Sequence, residues 1–417
     1  MKVTALFVVL PVVLASVVLA APDEEKLGKQ RGYPVGNAAN WYYEESVRVG
    51  SFTHQAEIKG IFHGAPHKLP PASRPMPLPR ATAEPDVRWN AKDARGLTLT
   101  DYLARQRIMG LLVVKDGVVQ LERYQYDRKP SDRFTSQSMA KSITALAVGI
   151  AQHEGRIQSL DDPAERYAPA LKGTVLGQTT LRNLLRMASG MKYEQTYDGR
   201  TGDTPRFGKA IAAVGIEAAI RTITDREVEQ GTRFYYASPH TVVLAAVLRG
   251  ATGMTLSKYL TARLWQAIGA EDSASWYADR TELEVALGNF NATLRDYARL
   301  GVVLANDGVR PDDPSGQPIV PREFLLEATD WKRGPAAFRP GNATPYWGYG
   351  YQFWLFPGER RRFAMVGVYG QSVFVDPELK LVMVQTGANA TPEAGHTSLS
   401  ADRDAFWRAL VRLYGRW

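Results

Sequence analysis

The sequence contains no cysteine among its 417 residues. This absence excludes disulfide scaffolds, thiol nucleophiles, thiolate zinc sites, iron–sulfur clusters and lipidated cysteine anchors. The chain also lacks long blocks of one charge: its net charge is +8, but lysine and arginine are scattered. We therefore expect no nucleic-acid partner. With 45% hydrophobic and 23% charged residues, the composition is that of a folded globular protein.

The first 21 residues have the organisation of a secretory signal peptide. Lys2 precedes an uncharged, mostly apolar run from Val3 to Ala15, and small residues occur at Ala20 and Ala21. This pattern predicts cleavage after Ala20 or Ala21 and a periplasmic or secreted protein. The alternative is a membrane anchor, since the apolar stretch is nearly long enough to cross a bilayer. The small residues favour removal, so we expect no stable membrane span in the mature protein.

Proline divides the rest of the chain into an N-terminal extension and a main body. Seven prolines lie between Pro66 and Pro85, and this density predicts an extended, polyproline-like strap. We interpret residues 22–96 as an extension that contains the strap and wraps the body. The body then spans residues 97–417.

The body has strand patterns at both ends and helix patterns between them. Met109–Val114 and Val118–Tyr124 flank an Asp-Gly turn and predict a hairpin. Strand patterns return between residues 363 and 386, whereas helical periodicity dominates residues 160–330. We predict an α+β fold in which an antiparallel sheet, completed by both chain ends, is flanked by helices and carries an inserted all-helical lobe.

The most informative motif is Ser138-Met-Ala-Lys141, because a serine and a lysine three positions apart on a helix share one face. Apolar residues at steps of three and four predict such a helix. Ser138 would lie in its first turn, where free backbone N–H groups favour negative charge. The pair supplies a nucleophile and a nearby amine that can accept or steer its proton. The same spacing recurs at Ser189 and Lys192, where an internal glycine favours a helix end.

A second motif, Tyr236-Ala-Ser238, ends a strand-like segment that precedes an apolar helix. In an extended backbone these two residues share a face with Phe234, so they can point into a cleft if Phe234 anchors the segment in the core. A phenol next to an ammonium group can have a lowered pKa and act as a general base. The alternative is that Tyr236 is a half-buried core tyrosine whose hydroxyl group is satisfied.

A third motif runs from Gly367 to Pro377 and contains Tyr369, Gly370 and Gln371. Glycine inside a strand often marks the close approach of another backbone or of a ligand. If this strand lies opposite Ser138, the backbone N–H groups of Ser138 and Gln371 can hold an oxyanion. The alternative is a β-bulge.

The remaining sequence patterns suggest one loop for substrate contacts and indicate neither a metal site nor a cofactor site. The loop from Met191 to Arg206, which contains Tyr193 and Tyr197, is a candidate for substrate contacts. Gly64 and Pro66 interrupt the only closely spaced histidine pair, so we expect no metal site. No nucleotide-binding motif lies in the required context, and we therefore expect no cofactor.

Taken together, the three motifs resemble the serine β-lactamase and penicillin-binding-protein superfamily in its class C-like branch. The pattern S-x-x-K begins at Ser138, Y-x-S begins at Tyr236, and a glycine-containing strand lies near Gly370. The resemblance covers about residues 97–417. The sequence of the third motif is most similar to that of the 6-aminohexanoate-dimer (nylon oligomer) hydrolase-like branch.

The resemblance implies a serine hydrolase that acts on a small-molecule amide or ester. Ser138 would form an acyl-enzyme, Lys141 and Tyr236 would transfer protons, and the N–H groups of Ser138 and Gln371 would stabilise the oxyanion. The residues implied or proposed as substrate contacts are Ser238, Tyr369, Gly370 and Tyr193.

One departure and two alternatives qualify this hypothesis. Val368-Tyr369-Gly370 stands where penicillin-recognising members have Lys-Thr-Gly or His-x-Gly. The group that meets a substrate carboxylate is therefore missing, which argues against efficient β-lactamase or carboxypeptidase activity. The alternatives are a D-amino-acid peptidase or weak β-lactamase, and a catalytically idle envelope-binding protein that keeps the fold. The sequence does not define the oligomeric state.

Overall fold

The computed structural model describes residues 21–392 and 398–417. The predicted signal peptide, apart from Ala21, lies outside the described residues. Within the described part of the chain, no helix is both long enough and apolar enough to cross a bilayer.

The strands pair into two antiparallel sheets. In chain order they are β1 (His67–Leu69), β2 (Ile108–Lys115), β3 (Val118–Tyr124), β4 (Arg133–Thr135), β5 (Ala274–Trp276), β6 (Phe290–Thr293), β7 (Gly348–Tyr349), β8 (Trp354–Leu355), β9 (Phe363–Gly367), β10 (Gln371–Asp376) and β11 (Leu381–Gly387). The larger sheet has the order β3-β2-β11-β10-β9-β8-β7, and the smaller one has the order β1-β5-β6-β4.

The larger sheet joins the two ends of the body, as predicted. β2 and β3 form the expected hairpin, and both Asp116 (φ 52°) and Gly117 (φ 77°) adopt the positive φ angles that a tight two-residue turn requires. β2 then pairs with β11 from the far end of the chain, with Leu112 opposite Val384.

Helices cover both faces of this sheet. They are α1 (Glu45–Thr53), α2 (Leu99–Arg105), α3 (Met139–His153), α4 (Leu181–Leu185), α5 (Asp203–Val214), α6 (Ile216–Ile220), α7 (Pro239–Thr252), α8 (Leu256–Leu260), α9 (Leu294–Ala305), α10 (Arg322–Thr329) and α11 (Ser398–Tyr414). On one face, α9 lies so close that a Cβ atom on Gly301 would be 2.5 Å from the Val382 side chain. On the other, Tyr102 of α2 stacks on Phe406 of α11 at 4.1 Å. The α+β fold class is confirmed.

The inserted lobe between residues 160 and 330 is mainly helical, but it also contains β5 and β6. These strands pair with each other, and β6 pairs with β4 of the body. They are three and four residues long, too short for a period of two to stand out against the surrounding helical pattern. The lobe is therefore not all-helical, and its short strands tie it to the segment that leads into α3.

The N-terminal extension runs over the body and is hydrogen bonded to it. β1 pairs with β5, with Lys68 opposite Ser275. Farther along the strap, Met76 donates its backbone N–H to Gly269, and Ala81 donates to Val119 at the edge of β3. The extension also contributes the helix α1, which buries seven of its nine residues. Residues 22–96 thus add to the core of the molecule.

Candidate active site

Ser138 lies directly before the first turn of α3, at the end of the segment that carries β4. The chain turns sharply into the helix at Gln137, where φ is 45°. Among the described residues, no hydrogen-bond acceptor faces the backbone N–H of Ser138. A free N–H group at the start of a helix favours negative charge on a bound molecule.

Lys141 lies one turn farther along α3, and its side chain turns back towards Ser138. Its Nζ atom donates to Ser138 Oγ at 3.0 Å and also to the backbone carbonyl of Leu287. The residue is 1% exposed. Because burial disfavours the charged form, the pKa of Lys141 falls to about 7. A large fraction of this amine is therefore neutral at physiological pH and can accept a proton.

Tyr236 reaches the same place from the segment that precedes α7. Its ring stacks on Trp354 at a centroid distance of 5.5 Å and meets Tyr349 edge-on at 6.0 Å. Its hydroxyl group lies near the Ser138 side chain and interacts with it, and Lys141 Nζ lies 5.4 Å from the centre of its ring. The structure thus brings together the three residues that the sequence predicts to be catalytic.

The pKa of Tyr236 is shifted in the direction opposite to the one expected. Burial raises this pKa above its ordinary value of 10.0, and the interaction with Ser138 offsets only part of the effect. The expectation of a lowered pKa is wrong because burial disfavours the phenolate, and the same burial reduces the charge on the Lys141 amine that would have stabilised it. At neutral pH the Tyr236 hydroxyl group therefore keeps its proton, whereas burial favours the neutral amine of Lys141.

The strand β9 forms the opposite wall, and Gly367 at its end approaches Ser138 closely. A Cβ atom on Gly367 would lie 3.0 Å from the Ser138 nitrogen and 2.5 Å from the Ser136 carbonyl oxygen. Only glycine allows this approach without a shift of the backbone. The first glycine of the third motif, Gly367, thus marks a close backbone contact, as the sequence predicts.

The turn that follows β9 differs from the sequence interpretation. Tyr369 has a φ of 63°, which turns its ring away from the cavity and towards the N-terminal extension. Gln371 is fully buried, and its side-chain amide donates to the Gly387 carbonyl at 2.8 Å. Neither Tyr369 nor Gln371 lines the cavity, whereas Val368 and Gly370 do.

Ser238 and Tyr193, both predicted as substrate contacts, lie behind the cavity wall. Each is only 5% exposed. The Ser238 backbone N–H donates to Gln195 Oε1 at 2.8 Å, and Tyr193 packs edge-on against Phe207 in the core of the lobe. From the same loop, Gln195 and Tyr197 are the residues that line the cavity. The loop therefore reaches the cavity through Gln195 and Tyr197 and not through Tyr193.

The cavity next to Ser138 has a volume of about 510 Å³ and a largely aromatic wall. Its aromatic lining residues are Tyr197, Tyr235, Tyr236, Trp347 and Trp354. Sequence reasoning did not select the two tryptophans for the site, although the density of aromatic residues between 346 and 354 is a signal that could have found them. Arg403 and Asp404 of α11 also line the cavity.

The second serine–lysine motif is structural. Ser189 is fully buried, and its hydroxyl group lies 2.8 Å from His240 Nε2. The other ring nitrogen of His240 lies 2.9 Å from the Ala237 carbonyl, which makes Nε2 the acceptor. Burial lowers the pKa of His240 to about 4, so this pair is neutral. Within residues 21–392 and 398–417, no group of three or more histidine or acidic side chains is arranged to hold a metal ion.

Known proteins share this architecture. Residues 98–399 match the Beta-lactamase family. The 6-aminohexanoate-dimer hydrolase of Paenarthrobacter ureafaciens is 27% identical over 336 residues, which cover 79% of this chain and 84% of that protein. The structure of a provisionally named 6-aminohexanoate-dimer hydrolase from Bacillus anthracis superposes with a TM-score of 0.78 at 24% identity, over 89% of this chain and 95% of the other. EstCE1, a hydrolase with promiscuous acyltransferase activity, superposes with a TM-score of 0.57 at 18% identity, over 72% of this chain and 94% of the other.

The matched segment includes Ser138, Tyr236 and the turn after β9, which together surround the cavity. The resemblance recognised in the sequence is confirmed, including its likeness to 6-aminohexanoate-dimer hydrolases. The chain is a hydrolase of the serine hydrolase superfamily, and it belongs to the beta-lactamase family.

Proposed function

We propose that this protein is an exported serine hydrolase that cleaves amide or ester bonds through an acyl-enzyme on Ser138. One observation carries the proposal: the Ser138 hydroxyl group contacts both the buried amine of Lys141 and the hydroxyl group of Tyr236. A nucleophile that lies beside a neutral base and a protonated phenol has both proton-transfer partners that acyl transfer needs.

Acylation begins when neutral Lys141 accepts the hydroxyl proton of Ser138. The Ser138 oxygen forms a bond to the substrate carbonyl carbon, and the carbonyl electron pair moves to the oxygen. The carbonyl double bond then re-forms as the bond from carbon to the leaving nitrogen or oxygen breaks, and the leaving group takes a proton from Tyr236. The Lys141 ammonium returns a proton to Tyr236. In deacylation Tyr236 passes its proton to neutral Lys141 and takes a proton from water, whose oxygen forms a bond to the acyl carbon. The bond from this carbon to the Ser138 oxygen then breaks as the carbonyl re-forms, Ser138 takes the proton of the Lys141 ammonium, and the acid leaves.

The oxyanion requires two aligned N–H donors, and we assign them to Ser138 and Val368. The Ser138 N–H has no acceptor among the described residues and lies beside Gly367. Val368 is the next residue along the chain and lines the cavity, whereas Gln371 does not. Removal of one such donor typically lowers kcat by about 100- to 1,000-fold. This assignment replaces the sequence-based choice of Gln371.

The preferred substrates are linear amides, with short-chain esters as alternatives. The aromatic wall provides apolar contact area, and Val368 supplies no charge on the turn after β9 that could pair with the carboxylate of a β-lactam. The name of the Paenarthrobacter relative supports a linear amide.

A fluorophosphonate probe tests the nucleophile, because it forms a covalent bond with an activated serine. The purified protein should be labelled at Ser138, and Ser138→Ala should remain unlabelled. Ser189→Ala provides a matched control, since Ser189 has the same lysine spacing but is buried against His240; this variant should be labelled normally. Labelling of Ser138→Ala, or no labelling of the wild type, would refute the proposal.

A substrate screen then separates the reaction classes. Linear amide oligomers and p-nitrophenyl esters should be hydrolysed, whereas D-amino-acid amides and the β-lactam nitrocefin should be poor substrates. Faster turnover of nitrocefin than of any linear amide or ester would reassign the protein as a β-lactamase.

Export is supported by the apolar N-terminal segment and by the small residues at Ala20 and Ala21. Mass spectrometry of the protein recovered from the periplasm or medium should give a chain that begins at Ala21 or Pro22. Recovery of the uncleaved chain in the membrane fraction would favour an anchor.

A further inference from the structure

The turn that supplies Val368 contains a residue in an unfavourable backbone conformation. Tyr369 has a φ of 63° and a ψ of 22°, a left-handed geometry that non-glycine residues adopt only where surrounding contacts hold it. The contacts come from the N-terminal extension. The Tyr369 ring packs edge-on against Tyr42 at 5.1 Å and Phe52 at 5.6 Å.

Arg48 of α1 connects this turn to its surroundings. Its guanidinium group lies over the Tyr369 ring, 4.3 Å from the centre. Nη1 donates to the Asn389 carbonyl at 2.6 Å, and Nη2 donates to the Tyr43 carbonyl at 3.0 Å. The side chain is 2% exposed. One buried arginine therefore holds α1, the turn after β9 and the loop after β11 in a fixed arrangement.

The loop after β11 in turn packs against the residue that completes the turn. Asn389 donates its backbone N–H to the Tyr369 carbonyl. A Cβ atom on Gly370 would lie 2.9 Å from the side-chain nitrogen of Asn389. A displacement of Asn389 is therefore transmitted directly to the two residues that follow Val368.

The extension also contacts the opposite wall of the cavity. A Cβ atom on Gly199 would lie 2.3 Å from the Tyr43 ring, so this ring packs directly on the loop that carries Gln195 and Tyr197. Gln195 accepts the backbone N–H of Ser238, two residues beyond Tyr236. The segment around Tyr43 thus bridges the two walls between which the substrate would lie.

We propose that Arg48 is a positioning residue of the active site. By stacking on Tyr369 and fixing Asn389, it holds the turn after β9 so that the Val368 N–H points at the developing oxyanion. This inference rests on the proposed function, and it makes the N-terminal extension, which lies outside the matched family segment of residues 98–399, a necessary part of catalysis.

The test compares Arg48→Ala with a matched variant, Arg299→Ala. Arg299 is also buried and also holds the extension, because it donates to the Met76 carbonyl, but it is not among the residues that line the cavity. Hydrolysis of a p-nitrophenyl ester should lose about 10- to 100-fold in kcat with Arg48→Ala, while KM changes less than about threefold, since a misplaced donor weakens only the transition state. Arg299→Ala should lower Tm but leave kcat within about twofold of the wild type.

Two further measurements separate positioning from simple loss of stability. Arg48→Lys keeps a cation over the Tyr369 ring, but its single ammonium group cannot reproduce the fork to Asn389 and Tyr43, so its kcat should be intermediate. Guanidinium added at millimolar concentration should restore part of the kcat of Arg48→Ala and none in Ser138→Ala. If Arg48→Ala does not fold, Arg48→Lys provides the test: a lower kcat at unchanged Tm would support a positioning role for Arg48.

The outcomes distinguish this inference from the proposed function. Wild-type kcat in a folded Arg48→Ala or Arg48→Lys protein, or an equal loss of kcat in Arg299→Ala at the same loss of Tm, would overturn the role of Arg48 while Ser138 labelling persists. Absence of Ser138 labelling in the wild type would overturn the hydrolase proposal itself.

Discussion

The Nζ atom of Lys141 lies 3.0 Å from the hydroxyl oxygen of Ser138, and its other hydrogen-bond partner is an uncharged carbonyl, that of Leu287. Among the described residues, no carboxylate forms an ion pair with this amine. Burial therefore acts alone on the amine and lowers the pKa of Lys141 to about 7. A lysine in this state is a base at neutral pH, and three predictions depend on it.

The first prediction concerns pH. Because the neutral amine is the reactive form and the pKa of Lys141 is about 7, kcat/KM for an ester should rise as pH increases through about 7 and level off above it. Values of kcat/KM measured between pH 5 and 9 will show this rise and the plateau above it. A rate that is constant across this range, or that falls as the pH rises through 7, would exclude Lys141 as the base.

The second prediction concerns replacement of Lys141. Lys141→Ala should lower kcat by about 100- to 10,000-fold, the range typical of a lost acid–base group. Lys141→Arg keeps the positive charge but cannot give up its proton near neutral pH, so it should be similarly inactive. High activity in Lys141→Arg would mean that only the charge matters.

The third prediction concerns Tyr236 as the proton donor to the leaving group. Tyr236→Phe retains the ring that stacks on Trp354 but removes the hydroxyl group. Amide hydrolysis should fall by about 100-fold or more, because an amine leaves only after protonation. Hydrolysis of a p-nitrophenyl ester should fall by less than about tenfold, since nitrophenolate leaves without a proton. Equal losses for both substrates would contradict this assignment.

The Ser138–Lys141 pair could be predicted from the sequence because a helix fixes the geometry of residues three positions apart. The hairpin of β2 and β3 could be predicted for a similar reason, since both strands and their Asp-Gly turn are contiguous. Features of this kind depend only on residues that are close together in the sequence.

The turn after β9 could not be predicted, because one left-handed residue decides where its side chains point. The φ of Tyr369 directs its ring towards Arg48 and leaves Val368 facing the cavity. The side chains of the extension that pack on this ring are more than 300 positions away in the sequence. Nor could the sequence distinguish Tyr197, which lines the cavity, from the buried Tyr193. Both lie in one irregular loop, which has no periodicity that would indicate where each side chain points.

The fourth prediction concerns Gly367. An added Cβ atom would lie 2.5 Å from the Ser136 carbonyl oxygen and 3.0 Å from the Ser138 nitrogen, so Gly367→Ala must displace β9 from the nucleophile. We expect kcat to fall by about 100-fold or more. Gly110→Ala, in β2 of the same sheet, meets the side chains of Leu294 and Thr386 instead; it should cost stability and leave kcat nearly unchanged. Wild-type kcat in Gly367→Ala would show that this approach is not needed.

The fifth prediction concerns the strap, which His67 fastens to the body. Its Nδ1 lies 2.8 Å from the buried Glu284 and its Nε2 lies 2.7 Å from the exposed Glu282. The hydrogen bond with Glu284 is the main cause that raises the pKa of His67 from 6.5 to about 9. The stabilisation is therefore complete below pH 6.5 and is lost as the pH rises through 9. We expect His67→Gln to lower the free energy of unfolding by on the order of 2 kcal/mol at pH 6 and to have little effect at pH 10. The value at pH 6 is reduced from the full pKa shift because Glu282 is exposed to solvent.

Urea unfolding at the two pH values measures the difference. His54→Gln, which replaces another histidine of the same extension, is the control. An effect of His67→Gln that is equal at both pH values would show that its charge does not hold the strap.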